Sequence, residues 1–124
     1  MNATPLRLQR TELQRSANFI AGAWTPAASG ASFAVTDPAT SNTITSVPDS
    51  GAADARAAVA AAQAALPAWR KLPAKQRAAI IKRWNDLVLA HQDDLGTLIS
   101  LEQGKPLAEG KGEVAYAASY IEWF

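Results

Sequence analysis

Few side chains in this 124-residue chain could do chemistry, and none of them is a thiol, because it contains no cysteine. That removes a cysteine nucleophile, a disulfide framework and thiolate-bound zinc together. The single histidine, His91, cannot build a histidine metal cluster alone. As a general base it would need a nucleophile and an orienting acid, and no motif supplies them; it reads as a helix-end residue. Asp93 and Asp94 are adjacent, and adjacent helical residues diverge by about 100°, so they suit the positive end of a helix dipole better than an acid–base pair. Glu109 and Glu113 fall four apart on one helical face, where they share a cation or face water. Gly104, Gly110 and Gly112 could bring backbone amides to a phosphate, but they fall at one helix end and inside the next helix, not in a strand–turn–helix. Gly110 and Gly112 are instead expected to let their helix approach a neighbour closely, at a cost in helix propensity. Trp24, Trp69, Trp84 and Trp123 lack the basic groove of a base-stacking platform and are expected as core or interface anchors. No residue is assigned to catalysis, to cofactor binding or to a metal.

The charge balance points the same way. Twelve basic against 11 acidic side chains leave +1, too little for a nucleic-acid partner or a membrane surface, and no window approaches the apolar length of a membrane span. Met1 to Arg15 carries Arg7, Arg10 and Arg15 with Leu6, Leu8 and Leu13. It lacks the continuous apolar core of a secretory signal. A mitochondrial presequence is the sharper reading; Glu12 and the shortness of the arm favour a frayed or briefly helical arm of a cytoplasmic protein.

Three short strands and four helices must carry these residues. Phe19 to Trp24 reads as a strand, Phe33 and Val35 point one way at strand period, and Thr43 to Val47 follows the turn Asp37-Pro38-Ala39-Thr40. Asn42 is the residue of that connection suited to positive φ. After Gly51 the period changes from two to 3.6, with no parallel sheet expected. The first helix runs from Ala52 and is expected to lose regularity near Leu66, because Pro67 removes a hydrogen bond, leaving Trp69 to pack from an irregular turn. Pro73 opens the second helix, from Ala74 to about His91, with Ile80, Ile81, Trp84, Leu87 and Val88 as its apolar stripe and Arg77, Lys82, Arg83, Asn85 and Asp86 opposite. Asp93 and Asp94 open the third, which ends at Gln103. Gly104 is expected to close it in the left-handed conformation, and Pro106 to start the fourth. Val114, Ala118 and Ile121 share a face of that last helix. Ile121-Glu122-Trp123-Phe124 carries no stop signal, so the chain is expected to be truncated there.

Four pieces in order carry a resemblance: Phe-Ile-Ala-Gly-Ala-Trp at 19–24, Asp-Pro-Ala-Thr at 37–40, Pro-Ala-Trp-Arg at 67–70 and Leu-Glu-Gln-Gly-Lys-Pro at 101–106. Together they resemble the N-terminal part of aldehyde dehydrogenases, nearest in wording to the succinate-semialdehyde branch. The resemblance runs from about Asn18 to Phe124, with Asp37 in place of the family's asparagine and Ser41-Asn42 in place of Gly-Glu. It implies an α+β fragment, a short antiparallel β segment followed by four helices, from the N-terminal part of an α/β, Rossmann-like enzyme. Its expected parts are an arm over 1–17, a β segment over 18–50 and a helical segment over 51–124, forming the first layer of the NAD(P)-binding domain. In the parent, a cysteine thiolate would attack the aldehyde, hydride would pass to NAD or NADP, and a glutamate-activated water would release succinate. The partners implied are the remainder of the dehydrogenase chain and further subunits of a homo-oligomer. The resemblance also suggests Glu113, with carbonyls near Val35 and Thr36, as the equivalent of a structural cation site in some members; it is not adopted as a site. A stand-alone helical interaction module is the alternative.

The isolated chain is therefore expected to oxidise no aldehyde and to bind no NAD(P). Val114, Ile121, Trp123 and Phe124 are expected to lie uncovered, each forfeiting roughly 1.5–3 kcal/mol, so it should self-associate and take up a hydrophobic dye. Calorimetric NAD(P) titration and size-exclusion chromatography check this; a sharp monomer peak without dye uptake, or any dehydrogenase turnover, would contradict it.

Overall fold

The computed structural model describes residues 7–124. The expected arm over 1–17, and the presequence reading of Met1 to Arg15, therefore fall partly outside the described residues. Within them, Thr11–Leu13 forms one 3-10 turn.

Four strands follow where three were expected. Phe19 to Trp24 is not one strand: β1 (Asn18–Ile20) and β2 (Ala23–Thr25) pair antiparallel, with Phe19 opposite Trp24. Ala21 and Gly22 turn the chain with φ of 52° and 82°, the doubly positive geometry whose twist matches a two-residue hairpin. Glycine adopts this freely and alanine at a cost. The reward is a cross-strand aromatic pair, with the Phe19 and Trp24 ring centroids 5.0 Å apart and the Arg15 guanidinium 4.9 Å above the Trp24 ring.

The second hairpin joins β3 (Ser32–Thr36) to β4 (Thr43–Pro48), again antiparallel, as a separate two-stranded sheet. Asp37 organises its turn. The Ala39 N–H donates to Oδ1 at 2.8 Å and the Thr40 hydroxyl to Oδ2 at 2.9 Å, and these bonds hold the Asp37 carboxyl below its usual range. Positive φ falls on Ser41, at 60°, rather than on Asn42. Asn42 already continues the pairing, its carbonyl accepting from the Asp37 N–H, while the Ser41 N–H donates to the Asp37 carbonyl.

Four helices make up the rest: α1 (Ala52–Lys71), α2 (Ala74–Ala90), α3 (Gln92–Gln103) and α4 (Leu107–Trp123). No parallel pairing occurs among the described residues. The expected break near Leu66 does not occur, and α1 runs through Pro67 to Lys71. Pro67 and Gln63, whose carbonyl loses its donor, both lie on an exposed face, where that carbonyl can tilt toward solvent. Near the helix end, few further bonds are disturbed.

On α2 the buried line is narrower than the expected stripe, and it includes a residue placed opposite. Ile81 and Val88 are half-buried and Asn85 is buried, whereas Ile80, Trp84 and Leu87 stay exposed. Val114, expected to be uncovered, is buried with Ala118, and Ile121 is half-buried. Trp123 and Phe124 are exposed as expected.

Glycine sets the spacing of the helical layer. A Cβ on Gly110 would stand 2.5 Å from the Gly96 carbonyl oxygen, and one on Gly96 would stand 2.8 Å from the Lys111 nitrogen, so α3 and α4 cross backbone to backbone. Gly112 has nothing within 4 Å of its Cβ position, so of the two glycines expected at a close approach only Gly110 makes one. Gly104 caps α3 with φ of 74° and its N–H on the Ser100 carbonyl. Its open side also receives Pro38, whose Cγ would lie 2.9 Å from an added Cβ, so the second hairpin leans on the end of α3.

Three alanine substitutions separate these roles in urea unfolding. Gly110→Ala should cost about 1–3 kcal/mol by overpacking, and Gly104→Ala about 1 kcal/mol or more by positive φ. Gly112→Ala should instead stabilise by about 0.5–1 kcal/mol; equal midpoints for all three would refute the assignment.

Candidate functional site

Asp93, Asp94, His91 and Glu113 each have a structural partner. Asp94, in the first turn of α3, is buried. It accepts the Gln9 N–H on Oδ1 at 2.7 Å and the Arg10 N–H on Oδ2 at 3.0 Å. The carboxylate placed there for the helix dipole therefore also ties down the N-terminal arm. Asp93 points elsewhere, to Lys111 Nζ at 2.8 Å, a second link between α3 and α4. His91 joins α2 to α3 and meets the Arg10 guanidinium at 2.9 Å. A guanidinium only donates, so Nε2 is the acceptor. The bond places His91 beside the arm with no nucleophile among its partners.

Glu109 lies in the first turn of α4. Glu113 accepts from Lys105 Nζ at 2.6 Å, so its carboxylate answers the Gly-Lys-Pro joint. The glycines form no phosphate cradle: Gly110 faces the Gly96 carbonyl, an acceptor that would repel an anion, and Gly104 faces a proline ring. These residues do not fit a dinucleotide phosphate. No group of three or more potential ligands gathers for a metal among the described residues.

Asp54, not singled out in the sequence, holds the β segment to the helices. It is buried in the first turn of α1. Its Oδ2 accepts the Gly51 N–H at 2.9 Å and its Oδ1 the Ala28 N–H at 2.8 Å. These two bonds, Gly51 first, pull its carboxyl below the ordinary value of 3.8. The Gly51-to-Asp54 spacing is a legible capping signal; the bond to Ala28 spans the β segment and is not. Gly96, the other half of the α3–α4 crossing, was also missed, because a lone helical glycine signals little by itself.

A groove of about 770 Å³ lies between the end of α1, α2 and the end of α4. Trp69, Ile81, Ile121 and Phe124 line it, with Lys75, Arg77 and Lys82 along the α2 side and Glu122 opposite. Asn85 also lines it, buried, and its Oδ1 has no hydrogen-bond partner. The surface suits an apolar body that brings a donor. No helix of the described residues is long and apolar enough to cross a membrane.

Residues 24–124 match the model of the aldehyde dehydrogenase family. A glutarate-semialdehyde dehydrogenase of Pseudomonas aeruginosa is 52% identical over 96% of this chain and 25% of its own length. The NADP(+) succinate-semialdehyde dehydrogenase of Escherichia coli shows the same identity and coverage. The crystal structure of succinate-semialdehyde dehydrogenase from Burkholderia pseudomallei superposes with a TM-score of 0.90 at 52% identity, over 94% of this chain and 24% of that one. The chain thus spans about a quarter of the length of the relatives it matches.

Asp54 gives a pH test. Its folded pKa is lowered, so its contribution is present above the unfolded value and is lost as pH falls through the lower folded value. Asp54→Asn should lower the melting temperature at neutral pH, and the gap to the parent chain should close as pH drops below 3.8. A gap independent of pH would exclude the carboxylate as the tie.

Proposed function

Because this chain belongs to the aldehyde dehydrogenase family, we propose that it forms the N-terminal quarter of an NAD(P)-dependent dehydrogenase that oxidises succinate semialdehyde to succinate. The observation that carries this reading is the 52% identity over 96% of the chain to dehydrogenases of two carboxylate-bearing aldehydes. Succinate and glutarate semialdehydes differ by one methylene, worth about 1–3 kcal/mol to an apolar pocket, so the parent should accept both and prefer one.

In this reading the thiolate, the activating glutamate and the NAD(P) cradle belong to the remainder of the polypeptide. The arm (1–17), β segment (18–50) and helical segment (51–124) together form the first layer of the cofactor-binding domain. Their work is to present a fixed surface: Asp94 holds the arm, Asp54 holds the β segment, and the Gly96–Gly110 crossing fixes the helices. A site held by such contacts keeps its geometry through turnover. A homo-oligomeric, cytoplasmic parent completes the proposal.

A chimera tests it. The Escherichia coli relative with its matching first quarter replaced by this chain should oxidise succinate semialdehyde with reduction of NADP, while the chain alone should not. A folded chimera without turnover, or turnover by the chain alone, would overturn the reading.

A further inference from the structure

His91 is the single histidine of the chain, and it lies half-buried where α2 ends and α3 begins. Its Nε2 faces the Arg10 guanidinium at 2.9 Å. A guanidinium has only donors to offer, so this contact exists only while that ring nitrogen is unprotonated. Arg10 is fixed from two further sides: its N–H donates to Oδ2 of Asp94 at 3.0 Å, and its Nε donates to Glu12 at 2.7 Å. The neighbouring Gln9 N–H donates to Oδ1 of Asp94 at 2.7 Å. Gln9 and Arg10 thus reach the helical layer through three hydrogen bonds, and one of the three ends on a titratable ring.

The charged groups around that ring offer its protonated form no free partner. The last turn of α2, Leu87 to Ala90, carries no charge. On α3, Asp93 is engaged by Lys111 of α4 at 2.8 Å, and both oxygens of Asp94 already accept arm N–H groups. On the arm, Glu12 is taken up by Arg10. A protonated ring left in place repels the guanidinium, and one drawn toward Asp94 competes with the arm's own amides. Both responses act against attachment.

We propose that His91 is a pH-sensitive latch on the N-terminal arm: the neutral ring holds Arg10, and the protonated ring releases the arm around Gln9 and Arg10 while the helices stay packed. Imidazole is the side chain that ordinarily changes charge between about pH 5 and pH 8, whereas ordinary carboxylates titrate below that window. The sign follows from the acceptor. Attachment is complete above the window and weakens as pH falls through it. The contact is solvent-exposed, so its loss is worth about two- to fivefold in the opening of the arm.

Site-resolved hydrogen exchange on the full 124-residue chain tests the latch. Between about pH 7.5 and about pH 5.5, protection of the Gln9 and Arg10 amides, corrected for the intrinsic pH dependence of exchange, should fall about two- to fivefold. The Gly104 N–H, bonded to the Ser100 carbonyl at 2.9 Å within the helical layer, should not follow. His91→Gln keeps an acceptor that does not titrate, and Arg10→Gln removes the charge that opposes the protonated ring. Each should abolish the pH response of the two arm amides, whatever its effect on their absolute protection. An undiminished response in either variant, a parallel loss at Gly104, or arm amides unprotected at both pH values would overturn the latch.

Discussion

The crossing of α3 over α4 sets the dimensions of everything else in the helical layer. Two glycines face each other there, and any Cβ would strike a backbone atom of the other helix. Close packing of this kind has no tolerance for even one added methyl group. Because the backbones touch, Val114 and Ala118 are brought deep enough to be buried although neither is large. The same proximity lets Asp93 reach Lys111 and Gln92 reach the Lys111 carbonyl. The layer is narrow because glycine permits it to be.

Around that crossing the chain is held by carboxylates more than by an apolar core. Among the described residues that are buried, only Ala27, Val114 and Ala118 are hydrophobic, against five polar or charged ones. Asp54 and Asp94 each accept two backbone N–H groups, and three of those four donors lie in segments with few other anchors. Charge-assisted bonds of this type are short, directional and stronger than neutral ones. They fix where the arm and the β segment sit without needing the apolar surface that α1 and α2 keep turned outward.

That outward surface is where fold and function meet. Trp24, Trp84, Trp123 and Phe124 are all about half-exposed or more, an expensive arrangement for a chain with so small an interior. Under the proposed function, such faces are where the remainder of the parent would pack. The chemistry proposed for the parent thus depends on this chain for placement.

Much of this was legible in the sequence. Four helices after Gly51, the left-handed cap at Gly104 and the family itself all follow from local signals: period, glycine and proline placement, and four motifs in order. Such features depend on neighbours within a few residues, which a linear reading sees. The tertiary structure alone decided the rest. It folded Phe19 to Trp24 into a hairpin because the Phe19–Trp24 pair repays positive φ at Ala21. It carried α1 through Pro67 because the disturbed carbonyl faces outward. It separated Gly110 from Gly112, turned Asn85 inward and gave Asp54 and Asp94 their distant donors. In each case the deciding atom lies far along the chain or on an unpredicted face, and only the packed structure brings it near.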